Sequence, residues 1–123
     1  MANKAAGEMD VTIDGKTFVL RPSFAAITEF EEKAGLTVFE AMRAAGERQS
    51  VPLRSVVAAF HACIKAGWKP TMGKQLTFEE VGAMVRRDGL GEHMQAFMQI
   101  LANMMTGERA LEEAQKVVAS GKQ

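Results

Sequence analysis

The sequence predicts a mainly α protein of α+β type, with an N-terminal β-hairpin packed on a compact bundle of about five helices. Three observations carry that expectation. Apolar residues alternate on both sides of an Asp-Gly pair near the start of the chain. Later stretches repeat their apolar residues at helical spacing instead. Several of those stretches open on Ser or Thr and close at glycine, the chemistry of helix ends.

Residues 1–7 read as a loose leader. Met9, Val11 and Ile13 then alternate with Asp10 and Thr12, the period of a strand. Asp14-Gly15 suits a two-residue hairpin turn, because both positions of that turn need positive φ. Pairing Ile13 with Lys16 sets Val11 opposite Phe18, Met9 opposite Leu20, and Thr12 opposite Thr17 on the other face. Two strands alone are marginal in water, and the helix that follows is the expected bed. Pro22 closes the strand and Ser23 caps that helix, in which Phe24, Ile27 and Phe30 recur until Gly35.

Thr37 with Glu40 has capping-box spacing and starts a short second helix ending near Gly46. A third helix is expected from Ser50 to Ala66, with Leu53, Val56, Val57, Phe60, Cys63 and Ile64 on one face and Pro52 in its first turn. Gly67-Trp68-Lys69-Pro70 breaks it. Thr77 with Glu80 opens a fourth helix, to about Arg87. A fifth runs from about Glu92 to Thr106. Its stretch "MQAFMQILANMMT" carries no charge, and its apolar residues cover roughly 160° at ~100° per residue. Such a helix is either central in the core or buried on one side and in contact with a partner on the other. Residues 8–107 read as one domain, and 108–123 as a C-terminal tail compatible with a helix.

Composition narrows the function classes. The chain has 123 residues, with Lys+Arg and Asp+Glu balanced at 15 each. No global field therefore draws it to nucleic acid or to an anionic membrane. No apolar run could span a bilayer, and the first ten residues lack the apolar core of a signal peptide, so a cytoplasmic protein is expected. Nine methionines stand beside no tyrosine. Methionine is flexible and polarizable, and serves equally to fill irregular cores and to line adaptable surfaces.

No catalytic machinery is legible, and no enzyme, cofactor or metal site is expected. Gly15-Lys16-Thr17 and Gly73-Lys74-Gln75 both lack the earlier glycine of a phosphate loop, and the second lacks the hydroxyl as well. His61 and Cys63 stand two apart on a helix and point to different sides, so they cannot share a metal. Cys63 is the only cysteine and lies on an apolar face. The acidic pairs Glu31-Glu32, Glu79-Glu80 and Glu112-Glu113 read as solvated helix faces.

A resemblance goes further. Gly7-Glu8, Ile13 to Lys16, Phe18, the run "LRPSF" from Leu20 to Phe24, Ile27, and "EFEEKAG" from Glu29 to Gly35 resemble the tail assembly chaperones of prophages and gene transfer agents, also described as tail tube-associated proteins. The segment "TFEEVGAMVRRDGL", Thr77 to Leu90, is similar to the same family's fourth helix. The likeness covers roughly residues 7 to 107. It departs at "SFAAI", Ser23 to Ile27, where relatives often carry an acidic residue, and the tail after Gly107 does not align.

The resemblance implies a non-enzymatic assembly factor that binds the tape-measure protein and other tail proteins. The alternative is a structural tail or head–tail connector component retained in the particle. Homo-oligomers are expected from the short sheet edge and the wide apolar arc of the fifth helix. The expected partner surface comprises Met84, Met94, Met98, Met104 and Met105, because methionine-lined grooves suit varied apolar helices.

Overall fold

Backbone geometry at two residues sets the N-terminal hairpin. Asp14 and Gly15 both have positive φ, 50° and 77°, the twist that joins two strands through a two-residue turn. In this computed structural model, which describes residues 2–48 and 51–119, β1 (Met9–Ile13) and β2 (Lys16–Leu20) pair antiparallel. Val11 lies opposite Phe18 and Met9 opposite Leu20, the expected register. Val11, Ile13, Phe18 and Leu20 are buried, whereas Thr12 and Thr17 share a hydroxyl hydrogen bond of 2.9 Å on the exposed face.

Helices α1 (Phe24–Ala34), α2 (Val38–Arg43), α3 (Leu53–Ala66), α4 (Phe78–Asp88), α5 (Leu90–Met105) and α6 (Glu108–Ala119) complete the fold. The chain is mainly α with one hairpin, as the sequence predicts. Local chemistry explains the helix starts. The Ser23 hydroxyl accepts the Ala26 N–H at 3.1 Å. Thr37 with Glu40, and Thr77 with Glu80, each form a reciprocal capping box, which satisfies two N–H groups that a helix start would leave unpaired. A π-helical turn, Ala44–Arg48, extends α2. The expected start of the third helix at Ser50 lies outside the described residues, and α3 begins behind Pro52, whose extended backbone (ψ 142°) precedes it.

The bed of the hairpin differs from expectation. β2 lies chiefly along α3 and β1 against α4, and the Phe24–Phe30 helix joins them through the shared core, where Phe30 is buried with Val11, Phe18 and Leu20. The strand is fastened there by the Arg21 N–H, which donates to the Cys63 carbonyl at 3.0 Å. A Cβ on Gly67 would sit 3.1 Å from the Val19 carbonyl oxygen, so the end of α3 passes tightly under β2. Phe24 is 83% exposed. Six residues at about 100° each turn it some 120° away from Phe30, off the stripe that Ala26 and Phe30 bury.

α3 is the central helix. Residues Ser55 to Ile64 are all buried, and α1, α4, α5 and β2 surround it. Its second face is Ala58, Ala59 and Ala62, small enough for neighbouring backbones to approach. Among the described residues the largest fully buried side chains are Phe30, Phe60 and Phe97, with Phe30 and Phe97 edge to face at 6.5 Å. In the stretch read as a loose leader, Lys4–Ala6 forms a 3-10 turn capped by the Asn3 side chain.

Candidate partner surface

α5 resolves its wide apolar arc into two stripes. His93, Phe97, Ile100, Leu101 and Met104 face the core. Met94, Met98 and Met105 fall within about 40° of one another at ~100° per residue, on a shoulder beside that buried stripe. Met94 and Met98 are half-buried, and Met105 is 41% exposed. Ala45, Leu90, Gly91, Met94 and Met98 together line an open groove of about 390 Å³ between the end of α2 and the start of α5.

Of the five methionines expected on this surface, the structure thus brings Met94 and Met98 together at one groove and sets Met105 farther along the same shoulder. Met104 belongs to the core, 9% exposed. Met84, on α4, is half-buried against the core and lies outside the groove lining. The groove's other walls were not read from sequence. Leu90 and Gly91 look like turn residues in "DGLG", and Ala45 is an unremarkable small residue; only the approach of α2 to α5 gives them a role.

The groove sits beside a polar latch. The Asp88 carboxylate accepts the backbone N–H of Asp14 at 2.8 Å and the His93 Nε2–H at 2.7 Å through the same oxygen, Oδ2. These bonds, the Asp14 N–H first, hold the Asp88 carboxyl below its ordinary pKa. Arg87 approaches Asp14 at 3.6 Å. The tip of the hairpin is in this way tied to the corner between α4 and α5, which Gly89 turns with φ 95°. His93 also stands edge-on to Phe60, with ring centroids 5.6 Å apart.

A second histidine, His61, lies on α3. His61 Nε2–H donates to the Leu76 carbonyl at 3.1 Å, which leaves Nδ1 as an acceptor, 3.8 Å from Glu29 Oε2. Among the described residues neither of those two atoms has a hydrogen-bond partner. Burial, then the Lys33 charge, lowers the His61 pKa, so the ring is neutral near pH 7. Glu29 Oε1 accepts from Lys65 Nζ at 3.1 Å. Arg21, Ser23, Glu29, Lys65 and Gln75 border a cavity of about 440 Å³ here. The buried Cys63 thiol is pushed up to about 12 by desolvation, which keeps it protonated and a poor nucleophile. Among the described residues no cluster of His, Cys, Asp and Glu could hold a metal ion, and no helix is long and apolar enough to cross a membrane.

Residues 6–107 match the family model described as "Phage tail tube protein, GTA-gp10". No curated protein and no solved structure matches the chain.

Proposed function

Because the chain belongs to the phage tail tube protein family GTA-gp10, we propose that it is a structural component of a phage or gene-transfer-agent tail, retained in the particle and acting by binding rather than by catalysis. The observation that carries this reading is the match over residues 6–107, which takes in the hairpin and α1 to α5. A tube component contacts copies of itself and other tail proteins, so self-association is part of the proposal. Quantitative mass spectrometry of purified particles tests it. A fixed, stoichiometric ratio to the other tail proteins is expected, and absence from intact particles overturns the reading.

The half-exposed methionines of α5 favour a second reading, in which the chain is an assembly chaperone that binds the tape-measure protein and leaves before the particle is complete. Met94, Met98 and Met105 would then receive the apolar side of a tape-measure helix, in the manner of a helix laid in a groove. Paired replacement Met94→Gln/Met98→Gln tests it. On this reading the variant stays folded and loses co-purification with tape-measure fragments; retained co-purification rejects the groove as the binding surface.

A further inference from the structure

α6 and the turn Lys4–Ala6 stand at the two borders of the family match, which spans residues 6–107, and they pack on each other. Among the described residues, that turn is the one element against which α6 packs extensively. Leu111 closes over Gly7, where a Cβ would come 3.1 Å from Leu111 Cδ1. Lys4 and Gln115 line two shallow cavities together along the same seam. Of the described α6 side chains none is buried, and Leu111 and Gln115 alone are half-buried.

This is a thin attachment for a helix of 12 residues. Helices of that length are marginal by themselves in water, so α6 depends on the surface it docks against. The connection to α5 is short and open. Thr106 leaves the helical conformation (φ −87°, ψ 129°), and a Cβ on Gly107 would meet no described residue within 4 Å. Thr106 and Gly107 are both exposed, and the bonds at the joint, Thr106 N–H to the Ala102 carbonyl and Leu111 N–H to the Gly107 carbonyl, belong to the ends of the two helices.

We propose that α6 is an exchangeable arm that docks on the Lys4–Ala6 turn of a neighbouring copy of this chain and links copies head to tail. The fit of occupant to site is already on display, because the contact made within one chain is the contact made between chains. Such an exchange needs no new surface, only a changed joint. Repeated from copy to copy, a head-to-tail contact closes into a ring or runs on as a filament, according to its rotation. The arm serves either reading of the function and is independent of the groove on α5.

Two differently tagged single variants, Lys4→Cys and Gln115→Cys, co-expressed and treated with a short bismaleimide, test the exchange. Buried Cys63 leaves the engineered thiols as the reactive ones. The expected product is a covalent dimer carrying both tags, in large excess over any dimer from either variant expressed alone. The double variant Lys4→Cys/Gln115→Cys is the control for docking. If it cross-links only within the chain while the mixed pair yields no dimer, the arm is closed and the proposal is overturned. If it does not cross-link at all, the docking contact itself is refuted.

Discussion

α3 and α5 are both rich in apolar residues and both touch the centre of the molecule, yet they end up in different situations. α3 is surrounded, with Ser55 to Ile64 all buried. α5 is buried along one stripe and only partly covered along the next, where Met94 and Met98 are half-buried and Met105 is exposed. The difference lies in side-chain size on the second face. Ala58, Ala59 and Ala62 let neighbouring elements close on α3, whereas a second stripe of methionines on α5 holds neighbours off and leaves a groove. An apolar arc wider than one contact surface can thus mean complete burial or an adaptable ledge, and the volume of the second face separates the two.

The contrast is open to direct attack. The largest effect is expected on the surrounded helix. Phe60→Ala removes a side chain that is 0% exposed and should cost about 3–5 kcal/mol, read as a lower urea midpoint; a loss as small as that of a surface substitution would contradict the central place of α3. His61, on the same helix, carries a pH dependence. Its folded pKa lies below the ordinary histidine value, so the unfolded chain binds the proton first. Stability should therefore fall as pH drops through about 6.5 toward the lower folded pKa, and His61→Gln should flatten that part of the profile. A slope of opposite sign would place a charged imidazolium in the fold.

Smaller effects are expected on the partly covered stripe. Met94→Gln/Met98→Gln should change stability by about 1 kcal/mol or less per site, measured by thermal melting. Unfolding of the pair would return both methionines to the core and erase the contrast with α3. The smallest change should come from Phe24→Ala, within about 0.5 kcal/mol, since that ring is 83% exposed. A loss of several kcal/mol would restore Phe24 to the buried stripe of α1.

What the sequence by itself determined about this protein is what neighbours within a few residues decide. The Asp14-Gly15 turn, the register of its strands, the capping boxes at Thr37 and Thr77, and the Ser23 cap each rest on groups at most a short hairpin apart. The mainly α fold with a single hairpin was legible for that reason. Met94 and Met98 were legible as candidates through composition and helical spacing alone. The tertiary structure decided the rest: that the hairpin lies on α3 and α4, that Phe24 faces outward, and that Met104 is core while Met94 and Met98 border a groove. The same holds for the Asp88 latch, whose partner Asp14 is 74 residues away, and for the walls that Ala45 and Leu90 supply. Periodicity shows which residues share a helix face, but the depth of a face depends on how closely another element can approach it, and that distance is set by side chains remote in the chain.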